Sequence, residues 1–208
     1  MTKSFSKILW ERKRKNGSTI THTRIGNKAK NIYAGSFTIE NNDDEFWDAY
    51  YNHVIVNGNK EYLTETQIEH GQILIDLDFR FTPDVKERLV TAEHIKDITI
   101  AYMDCIADIY NIFNGAEIQL WVLQKPNVNC LKDKTKDGLH IVIGISSSPR
   151  EQLYLRQKMI NMADDIFGDL PLQNNYEDVF DKGLSTKKTN WQMFGSRKPD
   201  NEKYEIVE

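Results

Sequence analysis

Between residues 73 and 81 the chain reads ILIDLDFRF, with apolar side chains at every second position. A period of two marks a strand that turns one face to a core. It puts Ile75, Leu77 and Phe79 inside and projects Asp76 and Asp78 together from the opposite face. Further on the period lengthens. Ile98, Tyr102, Cys105, Ile106, Ile109 and Phe113 recur every three or four residues and predict a long helix over residues 85–113. Thr82-Pro83-Asp84 precedes it and Asn114-Gly115 stops it. Residues 117–124 and 138–145 read as strands, joined by a polar loop with Pro126 and residues 132–137. Pro149 opens a second helix that runs to about Phe167. Residues 191–195 predict a short final strand, and the polar residues 199–208 a linker, so that the chain reads as a fragment of something longer. Upstream, Asn16-Gly17-Ser18 predicts a turn, residues 32–39 a strand, and residues 45–54 a helix with Phe46, Trp47, Tyr50 and Tyr51 on a core face.

The order strand, helix, strand, strand, helix, strand is that of a split β-α-β sheet with both helices on one face, an α/β (α+β) class. RNA-recognition folds, polymerase palms and several nucleases share this layout, so fold class alone leaves the function open. Composition narrows the setting. With 39% hydrophobic and 28% charged residues in 208, the chain has the balance of a soluble globular protein. No apolar run approaches the length of a membrane span, and the first residues lack the apolar core of a secretory signal. Cys105 and Cys130 are too few for a four-ligand zinc site or a disulfide scaffold, which points to an intracellular, reducing compartment.

The net charge of −4 argues against a nucleic-acid partner until its distribution is considered. Residues 1–30 hold nine bases (Lys3, Lys7, Arg12, Lys13, Arg14, Lys15, Arg24, Lys28 and Lys30) against Glu11 as the only acid. Residues 182–198 hold five bases and no acid. A local basic stripe can hold phosphates whatever the total charge. A solvated charged face is the plainer reading of either cluster.

Three groups of residues could carry chemistry. Carboxylates at i and i+2 on a strand, such as Asp76 and Asp78, lie about 6.6 Å apart on one face. That spacing suits a pair of hard cations about 4 Å apart, as phosphoryl transfer uses. The alternative is a strand end that reaches solvent. His140, in Gly138-Leu139-His140-Ile141-Val142-Ile143, shares a face with Gly138, Val142 and Gly144, where small neighbours leave room for a ligand. A satisfied core histidine is the competing reading. The third group runs from Asp181 through Trp191-Gln192-Met193-Phe194-Gly195-Ser196-Arg197 to Lys198, whose ammonium could hold phosphate oxygens. Taken alone it is a basic loop.

The ordered set of DLD, GLH about sixty residues later, and D…NWQMFGSRKP about forty residues after that resembles the archaeo-eukaryotic primase (primase-polymerase) superfamily. Within it the chain is similar to the N-terminal primase module of primase–helicases from nucleocytoplasmic large DNA viruses. The likeness runs from about Gln72 to Pro199, with a weaker echo around Thr21-His22-Thr23-Arg24 and Gly35-Ser36-Phe37. It implies a two-lobed fold with an RRM-like catalytic sheet: a basic lobe over about 1–70, a catalytic part over about 71–198, and a linker at 199–208, all in one primase-polymerase domain. It further implies that Asp76 and Asp78 bind divalent metal together with a third carboxylate. Asp181 fits that place by its 17-residue spacing to Lys198, with Asp178 as its rival. By the same resemblance His140, Lys136 and Lys198 contact the nucleotide triphosphate. Gly138 stands where the family often has Ser, and Gln192 replaces an arginine of cellular relatives, for which Arg24 is a candidate substitute.

The implied activity is primer synthesis on single-stranded DNA by two-metal nucleotidyl transfer with release of pyrophosphate. It uses NTPs or dNTPs and two Mg²⁺ or Mn²⁺ ions. The implied partners are the DNA template and a C-terminal helicase, and the implied setting is a viral replication factory in host cytoplasm. A metal-dependent nuclease and a non-catalytic RRM-like nucleic-acid-binding module are the alternatives. The second is disfavoured because such modules read bases with sheet aromatics, where this strand offers carboxylates.

Overall fold

The computed structural model describes residues 3–112 and 115–207. In chain order its elements are α1 (Phe5–Glu11), β1 (His22–Arg24), β2 (Gly35–Phe37), α2 (Asp44–Tyr50), β3 (Leu63–Glu65), β4 (Gly71–Phe81), α3 (Ala92–Ile109) and β5 (Leu120–Gln124). There follow β6 (Asn129–Cys130), β7 (Thr135–Ser147), α4 (Pro149–Phe167), α5 (Tyr176–Val179), α6 (Lys182–Ser185), β8 (Trp191–Gln192) and β9 (Glu205–Ile206). They form two compact units, residues 1–67 with 189–205, and residues 68–188 with 206–208. The architecture is mixed α/β with antiparallel sheets, the class expected. Among the described residues no helix is long and apolar enough to cross a membrane.

The second unit carries the split β-α-β pattern. β7 is its central strand, pairing antiparallel with β4 on one side and β5 on the other. The odd-numbered side chains of β4, Ile73 to Phe81, are buried against α3 and α4 with Val122, Leu139, Ile141 and Ile143. The alternation read from the sequence therefore sets which face the acids occupy. The helix start at Pro149 is as expected, reinforced by a capping box between Ser148 and Glu151. The other helix begins later than expected, at Ala92, because Thr91 caps it by accepting the His94 N–H while the His94 ring accepts from the Thr91 N–H. It also ends earlier than expected, at Ile109, where Tyr110 leaves the helical conformation and its N–H donates to the Ile106 carbonyl; Phe113 and Asn114, the expected end, lie outside the described residues.

The first unit has a four-stranded sheet in the order β2-β1-β3-β8. Its core gathers Phe5, Leu9, Phe37, Phe46, Leu63 and Met193. Two elements here differ from expectation. The segment 45–54 is a short helix, Asp44–Tyr50, that widens into a π-helical turn over Tyr51–Val56. The final strand is only Trp191–Gln192, and it pairs with β3 rather than with the acid-bearing sheet. The residues read as a linker include β9, and the Val207 N–H donates to the Val122 carbonyl at 2.9 Å.

Candidate active site

Antiparallel pairing puts residues directly opposite one another on the same face of a sheet. In the β4–β7 register Asp76 faces His140, Asp78 faces Gly138, and Arg80 faces Lys136. The face away from α3 and α4 thus carries ionisable groups two residues apart along β4 and, with Gly138 between them, four apart along β7. His140 Nε2 lies 3.5 Å from Asp76 Oδ1. Lys136 Nζ contacts Asp78 Oδ1 at 2.9 Å, and Arg80 Nη2 contacts Asp78 Oδ2 at 3.0 Å. Gly138 adds no side chain opposite Asp78, which leaves that carboxylate to its two cations. The Asp76 and Asp78 side chains remain about a quarter exposed, at 26% and 25%.

The free edge of β4 is closed by an irregular segment rather than a strand. Gln173 N–H donates to the Arg80 carbonyl, and Asn174 bonds both the Asp78 carbonyl and the Arg80 N–H through its side-chain amide. Phe180 then bridges to Leu77, and the Asp181 N–H donates to the Asp76 carbonyl at 3.0 Å. Arg156, buried on α4, holds this segment from beneath through the carbonyls of Phe180 and Glu177 and the Glu177 carboxylate. Asp181 is thereby fixed beside Asp76 along the strand edge. The Asp181 carboxylate accepts from the N–H groups of Gly183 and Leu184, capping the short α6. Asp178 lies exposed in α5, with its N–H bonded to Asn175.

Among the described residues no three Asp, Glu, His or Cys side chains converge into a cation cluster. Asp78 is engaged by Lys136 and Arg80, and Asp181 by its cap. The donor chemistry still fits hard divalent cations. Asp76 and Asp78 offer carboxylate oxygens on one partly exposed face, where neighbouring cations balance their charge.

Five of the six residues singled out from sequence (Asp76, Asp78, Lys136, His140 and Asp181) belong to the second unit. Lys198 does not. It is exposed in the first unit, after a turn in which Gly195 has φ +82° and Ser196 Oγ bonds the Tyr50 hydroxyl and the Leu63 N–H. A Cβ at 195 would meet Ile55 and Val54 at 2.8 Å, so the FGS stretch is needed for packing in its own right. Arg24 corrects an expectation. It is buried and paired with Glu61 through two bonds of 2.7 and 2.6 Å, so it is not available to replace the family arginine. Arg80, Asn174 and Arg156 were not foreseen. Arg80 alone had a readable signal, since it continues the alternation of Asp76 and Asp78 by one more step.

The C962R protein N-terminal AEP domain, an archaeo-eukaryotic primase family, matches residues 26–208. A protein of Acanthamoeba polyphaga mimivirus that is named as a helicase is 34% identical over 154 residues. That alignment covers 73% of this chain and 16% of the mimivirus protein, so the chain spans about a sixth of that relative. With nearly its whole length matched by the family model and its motif acids on one sheet face, this chain belongs to the archaeo-eukaryotic primase superfamily, in the branch of N-terminal domains typified by C962R.

Proposed function

We propose that this chain is the catalytic module of a viral primase or primase-polymerase that makes primers on single-stranded DNA by nucleotidyl transfer. One observation carries the proposal: Asp76 and Asp78 share a face with His140, Lys136 and Arg80, while the Asp181 backbone is bonded to Asp76. Asp76 and Asp78, with Asp181 once its carboxylate leaves the cap, would hold two Mg²⁺ or Mn²⁺ ions. Such ions supply Lewis-acid stabilisation of a nucleophilic 3′-hydroxyl and of departing pyrophosphate. Lys136 and His140 then neutralise triphosphate oxygens, a contribution that grows as charge moves onto the leaving group. Lys198 joins them on the strength of its motif. The two units together are proposed as one catalytic domain, intracellular, and joined in the full protein to a helicase, as the mimivirus relative's name suggests.

The test is synthesis on single-stranded DNA without added primer, run with labelled NTPs and then dNTPs, with Mn²⁺ or Mg²⁺. Wild-type protein should make template-dependent products, and Asp76→Asn should make none. Degradation of the template by wild type without nucleotides, and no synthesis with them, would favour a nuclease instead.

A further inference from the structure

Both oxygens of the Asp78 carboxylate are held by cations. Lys136 Nζ takes Oδ1 at 2.9 Å, while Arg80 Nη2 and Nε take Oδ2 at 3.0 and 3.1 Å. One negative charge thus faces two positive ones. Arg80 is pinned by its main chain independently of its side chain: its N–H donates to Asn174 Oδ1, and its carbonyl accepts from the Gln173 N–H. The guanidinium itself packs into no core and is 36% exposed. It stands directly across the ladder from Lys136, at one end of the row that begins with Asp76 and His140.

A divalent cation that binds Asp78 must take over lone pairs these groups now use, and it repels them as it does so. The released guanidinium stays within the length of its own side chain of that carboxylate. An anion brought in beside the cation would then meet a planar fork suited to two phosphate oxygens at once. We infer that Arg80 is a phosphate ligand for the incoming nucleoside triphosphate, stored on Asp78 and handed over when the carboxylate takes a cation. The inference rests on the nucleotidyl-transfer reading.

The experiment compares wild type, Arg80→Gln and Arg80→Lys in the full chain. Mn²⁺ binding alone is followed by electron paramagnetic resonance, and ATP and dATP binding by calorimetry in Ca²⁺. Arg80→Gln removes a competitor for Asp78, so Mn²⁺ should bind about threefold tighter, in line with a partly exposed ion pair. The same variant should bind nucleotide about tenfold more weakly, as the loss of a charge-assisted contact predicts. Opposite movements of the two affinities are the signature, because a residue that merely props the carboxylate would weaken both. Arg80→Lys keeps the charge but not the fork, so it should restore wild-type Mn²⁺ binding and only part of the nucleotide affinity. Unchanged nucleotide binding in Arg80→Gln, or Mn²⁺ binding that weakens with it, overturns the inference. Should that variant not fold, full nucleotide affinity in Arg80→Lys overturns it. Wild type that binds nucleotide but synthesises nothing would defeat the transfer reading instead.

Discussion

Asp181 is both a backbone neighbour of Asp76 and the cap of a four-residue helix, and the two roles can be separated chemically. Its carboxylate accepts from Gly183 and Leu184, a bond that an asparagine amide oxygen makes nearly as well. Asp181→Asn should therefore leave the fold within about 0.5 kcal/mol of wild type and yet abolish most primer synthesis, since an amide is a poor ligand for a hard dication. Asp178→Asn should cost little activity, because Asp178 faces solvent from α5. Parallel synthesis assays and urea titrations of the two variants check this, and equal activity losses would remove Asp181's special place. At this scale the sequence was most legible where alternation was strict. Asp76 and Asp78 followed from the neighbours that had to be buried. Arg24 was not legible, because nothing in its local sequence shows that Glu61, thirty-seven positions on, sits buried against it.

The element that decides the site's shape is a mostly irregular segment with one helical turn, α5, inside it. Residues 173–181 run along the edge of β4 and satisfy its outward backbone groups, which an edge strand otherwise leaves to solvent. No periodicity marks such a segment, since its bonds come from Asn174, single N–H groups and a buried arginine on another element. Helix α4 could be read from Pro149 and its apolar spacing, whereas the use of Arg156 beneath the segment could not. Arg156 donates to two carbonyls and to Glu177, so Arg156→Met leaves polar groups unpaired under the sheet edge. The expected cost is about 2–3 kcal/mol in urea-induced unfolding. Activity should fall further than stability under conditions where the variant stays folded, because Asp181 loses its fixed position. Wild-type activity in a folded Arg156→Met protein would show that the segment needs no anchor. The short β8 teaches the same lesson from the other side: Trp191 and Gln192 have strand character, but only their pairing with β3 says to which sheet they belong.

Across the whole molecule the basic N-terminal stretch divides into charges spent on the fold and charges left to solvent. Arg12 is bound to Asp43 and Glu45, and its guanidinium holds the Asp43 carboxyl below the usual carboxylate range. Lys3 pairs with Glu11 and Glu45, and Arg24 is buried with Glu61. Lys13, Arg14 and Lys15 remain exposed around the turn at Gly17. The family match begins at residue 26, so these three bases lie outside the region that defines the family. Charge counted along the sequence could not separate the two sets, since the acids that consume Arg12 come thirty residues later. If the exposed three track a DNA backbone, each phosphate contact adds about 0.7 to the slope of log K against log salt for a single strand. Reversing all three to Glu should weaken single-stranded DNA binding at low salt and flatten that slope by about 2, with nucleotide affinity unchanged. Arg12→Glu should behave differently. It sets like charges beside Asp43 and Glu45 and should lower stability before it alters the salt slope. Fluorescence anisotropy across a salt series, paired with urea titration, distinguishes the two outcomes, and a slope left intact by the triple reversal would assign template binding to some other surface of the chain.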